Sequence, residues 1–372
     1  MSKIVLMAGG TAGHLFPAMA LAQELGRRGH DIYLMTDERV GAYGSFPARQ
    51  TFVVPSATPS IRNPVKLALA ALKICWGTIV AWRQLGGIRA DAAVGFGGYP
   101  TVPPFLAARL RGIPGVVHDS NAVLGRANLL LARYANALAT SFAKTLRADP
   151  FAAKTALTGN PVRDGVIAVA GTPYPPLGPS DTLRLLITGG SQGARVFGQV
   201  VPPALAVLPA DLRSRLRVVQ QCRAEDIDRV TQIYREARID VELQPFFTDL
   251  PDRIAQSHLV ICRSGASTTA ELCVIGRPAI LVPLPGAIDA DQKNNALVLE
   301  RAGGGWIVEQ PNFTASALAE QLKTLLFAPE SLVMAAAAAK SLGKPDAVAL
   351  LADLAENLAA GRTPVGLGEP NR

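Results

Sequence analysis

The sequence predicts an α/β protein made of two parallel-sheet domains built to one plan. Three observations predict it. The chain has 372 residues, more than one modest core organises. Two separate stretches, residues 4–28 and the stretch from residue 183 onward, run from an apolar strand through a Gly-Gly-x-x-Gly turn into a helix. A further strand, residues 259–262, ends in Arg263-Ser264-Gly265 and again leads into a helix, so turn chemistry repeatedly follows buried strands.

Composition narrows the function classes. Hydrophobic residues make up 49% and charged residues 18%, which excludes a disordered chain. A formal net charge of +8 favours anionic partners: nucleic acid, acidic lipid or a phosphorylated substrate. Aromatics are only 6% and no Lys/Arg run occurs, which argues against a nucleic-acid surface. Cys75, Cys222, Cys262 and Cys273 form no CxxC pair, and they read as reduced core thiols of a cytosolic protein. Residues 1–8 are apolar but run straight into a glycine turn, and are read as a first strand and not a signal peptide.

The first unit follows in order. Residues 4–8 form a buried strand, Gly9-Gly10-Thr11-Ala12-Gly13-His14 a turn, residues 17–28 a helix and residues 31–36 the next strand. This is a βαβ unit, whose glycine loop lets backbone approach a ligand at the helix start. The loop is not GxGxxG, and Asp37, ending the second strand, is the residue able to mimic the ribose acid of a dinucleotide fold.

Residues 65–83 read as a helix with Leu69, Leu72, Trp76, Ile79 and Arg83 on one stripe. Lys73 and Arg83 interrupt the apolar run, which is then too short to span a bilayer. The stripe reads foremost as core packing with solvated lysines. Trp76, Trp82, Lys66, Lys73 and Arg62 also suit a helix lying on an anionic membrane surface. Two more strands, near residues 92–94 and 116–118, end in Gly95-Phe96-Gly97-Gly98-Tyr99 and His118-Asp119-Ser120-Asn121. Ligands bind beyond the carboxyl ends of parallel strands, so His14, Tyr99, His118, Asp119 and Asn121 can converge.

Gly159-Asn160-Pro161-Val162-Arg163 closes the first half, and the Pro/Gly-rich residues 171–181 read as a stiff linker near a domain boundary. Residues 183–188 restart the opening theme, with Gly189-Gly190-Ser191-Gln192-Gly193 as the turn. Residues 217–222 and 241–246 are further strands, followed by a loop with exposed aromatics, Phe246 and Phe247, able to flank a base. The stretch 259–271 stands out. Ser267, Thr268 and Thr269 are residues that cap helix starts, and such a start is an anion site. Glu271 sits too deep for a phosphate and suits a diol such as ribose. The same stretch also fits an ordinary capped helix with a solvated Glu. Asp289-Ala290-Asp291 has hard oxygen ligands but also fits a helix cap. Residues 314–327 and 331–358 read as helices, and 361–372 as a disordered tail.

These motifs together resemble the MurG family, the membrane-associated N-acetylglucosaminyltransferases of bacterial peptidoglycan synthesis. The resemblance spans nearly all of residues 1–358 and rests on seven motifs in order: Gly9 to His14 with Pro17, Gly95 to Tyr99, His118 to Asn121, Gly159 to Arg163, Gly189 to Arg195, Arg263 to Glu271, and Asp289 through Asn295-Ala296. It implies a GT-B fold of two Rossmann-like domains facing across a cleft. Residues 1–163, joined by a last helix near 344–360, would take the acceptor and membrane side, and residues 164–343 would take the donor. It implies transfer of GlcNAc from UDP-GlcNAc to the C4 hydroxyl of the muramoyl sugar of lipid I, giving lipid II and UDP with inversion. It also implies a peripheral protein on the cytoplasmic face of the inner membrane.

By the same resemblance Arg163, Ser191, Phe247 (through backbone) and Ala266, Ser267, Thr268, Thr269, Ala270 and Glu271 hold UDP, with Glu271 on the ribose. Asn121 and Gln292 hold GlcNAc, Thr11, Ala12 and Gly13 line the other wall, and His14 is the general base. A helix start disfavours imidazolium and so keeps a neutral base. Helix N-termini at Ser191 and Ala266 would stabilise the leaving diphosphate, so neither a metal nor another cofactor is expected. Four positions depart from the family pattern. Ala12 replaces a glycine, at a cost of about 1 kcal/mol or more if positive φ is needed there. Asp119-Ser120 replaces Glu-Gln, and Asp291 stands where His or Gln is usual. A GT-B transferase for another acceptor and a non-catalytic sugar-nucleotide scaffold are the remaining readings; an intact His14 argues against the second.

Overall fold

In the computed structural model the chain divides into two compact units, Met1–Arg163 with Lys344–Arg372, and Asp164–Gly343. The structure describes all residues except 40–44, 60–62, 179–180, 191–192, 288 and 363–372. Ser191, Gln192, Arg62 and nearly all of the supposed tail therefore lie outside the described residues.

The first unit holds a seven-stranded parallel sheet, ordered β3-β2-β1-β4-β5-β6-β7. Its strands are β1 (Lys3–Met7), β2 (Asp31–Thr36), β3 (Gln50–Val53), β4 (Ala92–Gly95), β5 (Gly115–Asp119), β6 (Ala137–Thr140) and β7 (Thr155–Leu157). Alternation along β1 divides its side chains between two faces. Ile4 and Leu6 join a core with Leu15, Leu21 and Leu25 of the Ala12–Arg27 helix and with Leu351, Ala355 and Leu358 of the Ala347–Ala359 helix. Val5 and Met7 join a second core with Ala81, Leu85 and Phe105 from the Pro64–Ile88 and Val102–Leu110 helices.

The second unit holds a six-stranded parallel sheet, ordered β10-β9-β8-β11-β12-β13. Here β8 is Leu183–Thr188, β9 Leu216–Gln221, β10 Asp240–Gln244, β11 Leu259–Cys262, β12 Ala279–Leu281 and β13 Gly305–Ile307. The Pro/Gly-rich residues 171–181 fall within this unit, shortly after its start at Asp164. Arg277, 1% exposed, holds their start: its guanidinium donates to the carbonyls of Pro173 (2.8 Å), Ile275 (3.1 Å), Gly276 (2.9 Å) and Ala255.

One device occurs in both units. His30, just before β2, accepts the Ser2 N–H on Nδ1 at 3.1 Å; His258, just before β11, accepts the Arg184 N–H on Nδ1 at 3.0 Å. Each ring therefore carries its proton on Nε2, which donates to Glu356 (2.7 Å) in the first case and to the Pro176 carbonyl (3.1 Å) in the second. Arg28 adds bonds to Asp353 (2.6 Å) and Glu356 (2.9 Å), tying the last helix to the first.

Three readings change. Residues 331–358 are two helices, Pro329–Ser341 and Ala347–Ala359, broken where Gly343 and Pro345 stand. The Pro64–Ile88 helix, 25 residues, is long and apolar enough by length and composition to cross a membrane. It packs by Ala70, Gly77, Ala81, Leu85 and Ile88, while Leu69, Leu72, Trp76, Ile79 and Trp82 of its apolar stripe are exposed and not in the core. Cys75, on the same helix, is exposed as well, and the other three cysteines are buried and free.

Candidate functional site

Each sheet reverses its strand order once, between β1 and β4 in the first unit and between β8 and β11 in the second. The connections leave these neighbouring strands in opposite directions, which opens a crevice at their carboxyl ends, the usual ligand seat of such sheets. The two strongest sequence motifs fall at these two points.

In the first unit the turn after β1 leads into a helix that begins at Ala12. The helix therefore starts earlier than the sequence reading placed it. A side chain at Gly13 would meet nothing within 4 Å, so the helix start is open there. The Thr11 hydroxyl lies 2.9 Å from His14 Nδ1. Gly98, after β4, has φ +75°, and a Cβ there would come within 3.4 Å of the His14 ring. The Gly9 N–H donates to the Gly97 carbonyl at 3.3 Å, so the two glycine turns are joined and the imidazole rests on both.

His118 and Asp119 do not face a ligand. Both are buried at the end of β5. Burial lowers the His118 pKa to about 4, helped by the neighbouring His14, so the ring is neutral. Its Nε2 bonds the Gly159 carbonyl at 3.0 Å. Burial also pushes the Asp119 carboxyl up, although it accepts N–H bonds from Asn121 (2.9 Å), Gly125 (2.8 Å) and the Asn128 amide (2.9 Å). Asp119 thus folds the turn that presents the half-buried Asn121. Arg163 sets its guanidinium 4.9 Å from the Phe16 ring. Asp37 is no ribose acid. It pairs with Arg39 at 2.5 Å, and the space beside Gly10 is filled by its carboxylate. Burial pushes the Asp37 carboxyl up, but the Arg39 guanidinium and the N–H groups of Arg39 and Gly10 outweigh burial and hold it low.

In the second unit Gly189 and Gly190 follow β8, and Gly190 has φ +79°. The turn after β11 leads to the Ala266–Ile275 helix, whose N-cap is Gly265 with no side-chain cap. The serine and threonine caps expected there are absent: Thr269 bonds back to the Gly265 carbonyl at 3.0 Å. The hydroxyls of Ser264 and Ser267 are buried and bond no protein group. An uncapped helix start with buried, unspent hydroxyls is an anion seat. Ala266 and Glu271 are buried, while Ser267, Thr268 and Ala270 are half-buried, and Asn295 braces the turn through the Ser264 carbonyl at 3.2 Å. Glu271 is 5% exposed, so the solvated carboxylate of the alternative reading is not what the fold holds.

The half-buried Gln292 accepts the Leu284 N–H at 3.0 Å, and Ala290, between Asp289 and Asp291, starts the next helix with φ +49°. Among the described residues no group of three or more His, Cys, Asp and Glu side chains stands placed to hold a metal. After β10 only Phe246 is an exposed aromatic. Phe247 is buried, with the Arg253 guanidinium 4.4 Å from its ring, so it plugs the loop. Sequence reasoning passed over Gln221, the buried amide ending β9; its one signal was a pair of glutamines closing the strand after Val218 and Val219.

Comparison with known proteins agrees with this geometry. Residues 4–140 match the glycosyltransferase family 28 N-terminal domain and residues 184–351 the family 28 C-terminal domain. The chain is 52% identical over 361 residues to the UDP-N-acetylglucosamine–N-acetylmuramyl-(pentapeptide) pyrophosphoryl-undecaprenol N-acetylglucosamine transferase of Chelativorans sp. (strain BNC1), covering 97% of this chain and 96% of that protein. It is 53% identical over 355 residues to the same-named protein of Methylobacterium nodulans, covering 94% and 95%. The crystal structure of Acinetobacter baumannii MurG superposes with a TM-score of 0.78 at 29% identity, covering 95% of this chain and 99% of that one. With half its residues shared over nearly its full length, the chain belongs to glycosyltransferase family 28, in its MurG branch, and has the GT-B fold.

Proposed function

We propose that the protein transfers GlcNAc from UDP-GlcNAc to the C4 hydroxyl of the muramoyl sugar of lipid I, yielding lipid II and UDP with inversion at the anomeric carbon. The observation that carries this reading is the pairing of chemistries at the two switch points. One holds an imidazole at an open helix start, and the other holds an uncapped helix start with buried hydroxyls and a buried carboxylate.

In this reading the second unit binds the donor. The diphosphate sits at the Ala266 helix start, where Ala266, Ser267 and Thr268 supply N–H groups, the Thr269 N–H being held by the Gly265 carbonyl, and the helix dipole favours its charge. Ser191 and Arg163 help to offset that charge, Phe247 contacts the base through its backbone, and Glu271 takes the ribose hydroxyls. Asn121 and Gln292 hold the sugar, with Thr11, Ala12 and Gly13 along the acceptor side.

His14 takes the proton of the acceptor hydroxyl as its oxygen bonds to the anomeric carbon, and the bond from that carbon to the diphosphate oxygen breaks. Base action at Nε2 requires the Nδ1 proton to be donated to the Thr11 oxygen, and the 2.9 Å contact suits that tautomer. The neutral His118 adds no positive charge beside it. The charge left on UDP meets helix N-termini already in place.

The first unit carries the membrane contact. The exposed Leu69, Leu72, Trp76, Ile79 and Trp82, flanked by Lys66, Lys73 and Arg83, form one face of a helix whose other face packs against the Val102–Leu110 helix, which suits lying on an anionic bilayer. Arg111 stacks 3.9 Å from the Trp82 ring and so steadies it at the surface. The test is turnover of lipid I with UDP-GlcNAc, with and without EDTA. Formation of lipid II in both arms is expected, and its absence from both would rule the activity out.

A further inference from the structure

In the order β10-β9-β8, β9 lies between two strands whose following loops both carry proposed donor contacts. A residue at the carboxyl end of β9 can reach both loops, and Gln221 stands there, 5% exposed. Its carbonyl oxygen accepts from the Gly189 N–H at 2.9 Å and from the Thr188 hydroxyl at 3.1 Å. Its amide nitrogen donates to the Gly190 carbonyl at 2.9 Å and to the Pro245 carbonyl at 3.1 Å. These four bonds use both lone pairs and both protons of the carboxamide. Only a carboxamide meets this pattern: a carboxylate lacks the donors, and an ammonium lacks the acceptors.

The geometry points to Gln221 as a positioning residue that couples the glycine turn after β8 to the aromatic loop after β10, setting both at once for the nucleotide end of the donor. This inference rests on the donor reading above. Gly190 is held in left-handed backbone with its carbonyl committed to Gln221, so the orientation of the peptide that leads on to Ser191 depends on the amide. Pro245 stands two residues before Phe247, whose backbone is the proposed base contact, and the Gln244 carbonyl is already taken by the Cys222 N–H at 3.0 Å. The Pro245 carbonyl is thus where the loop leaves the sheet, and Gln221 fixes that departure.

Two variants of the full chain separate the possibilities. Gln221→Glu keeps the acceptors and removes both donors, so it should release the loop after β10 while leaving Gly189 held. Gln221→Met removes all four bonds without adding charge, and serves if a buried carboxylate prevents folding. Hydrogen exchange on the ligand-free protein should show faster exchange at residues 246–250 in both variants, at Gly189 in Gln221→Met only, and no change in the β8 and β11 interiors. Calorimetry with UDP should show affinity reduced by about tenfold in both. Unchanged loop exchange in a folded variant, or faster exchange throughout the second sheet, would overturn the positioning role. Absence of UDP binding by the wild-type protein would instead strike the donor reading, with the exchange pattern still deciding whether Gln221 couples the loops.

Discussion

The Thr11 hydroxyl and His14 Nδ1 stand 2.9 Å apart within one helix start, so the hydroxyl can accept an Nδ1 proton and leave Nε2 as the base. Thr11→Ala should lower kcat about 10- to 100-fold with little change in UDP affinity, and Thr11→Ser should restore most of it. His14→Ala should lose turnover far more than UDP binding. Parallel losses of both quantities in His14→Ala would contradict a base role.

Glu271 is buried in the helix that starts the anion seat. Glu271→Ala should weaken UDP binding by about 1.5–3 kcal/mol, the range for losing hydrogen bonds to a charged group. Calorimetry against UDP and against the deoxyribose analogue dUDP checks it. An equal preference for the two nucleotides in wild type and variant would remove Glu271 from the ribose.

His118 makes stability fall in acid. Its folded pKa is about 4 against an ordinary value of 6.5, so below pH 6.5 the unfolded chain binds the proton first. Stability therefore drops as pH falls from about 6.5 to about 4, by an amount on the order of 3 kcal/mol. Asp119, whose pKa is raised by burial, works in the opposite sense over acid pH. Denaturant midpoints across this range should fall less steeply for His118→Asn than for wild type, and an identical slope would discount the histidine.

Arg277 is the largest buried cation of the second unit, and its charge is met by carbonyls at the ends of two helices. Arg277→Met should cost roughly 3 kcal/mol, because those carbonyls lose their donors together. Thermal unfolding followed by circular dichroism measures the loss; a shift of under a degree would show that the guanidinium is dispensable.

The membrane contact gives a separable result. Leu72→Ser with Trp76→Ser should reduce sedimentation with anionic vesicles, and Lys73→Glu should reduce it most at low salt. UDP affinity should stay at the wild-type value in both variants. Retained vesicle binding in the apolar pair would move the contact elsewhere.

The double βαβ plan, both glycine turns and the Ala266 helix were legible because strand, turn and helix signals are local. What escaped depended on long-range packing. The stripe of Leu69, Leu72 and Trp76 has the same periodicity whether buried or exposed, and only the packing of Gly77 against Pro55 and Pro103 and of Ala81 into the core decides which face is free. Phe246 and Phe247 are adjacent and alike, yet the chain direction after β10 buries the second alone. Asp37 had the right place for a ribose acid, and Arg39, two residues on, neutralises it. The hydroxyls at 267–269 looked like caps, but Gly265 took the cap position and left Ser267 unspent. Gln221 was invisible because its four partners come from neighbouring strand ends.

The return of the Ala347–Ala359 helix to the first sheet bears on how the chain is made. Leu351, Ala352, Leu354, Ala355 and Leu358 complete a core whose other buried members are synthesised within the first 139 residues. At roughly 5–20 residues per second, the ribosome needs on the order of ten seconds or more to deliver them. Through that interval the nascent amino-terminal half carries an uncovered apolar groove, while the intervening unit has every strand it requires. The middle of the chain can thus reach its native state before the beginning does, and a stop codon near residue 343 would spare the later-made unit and cripple the earlier one.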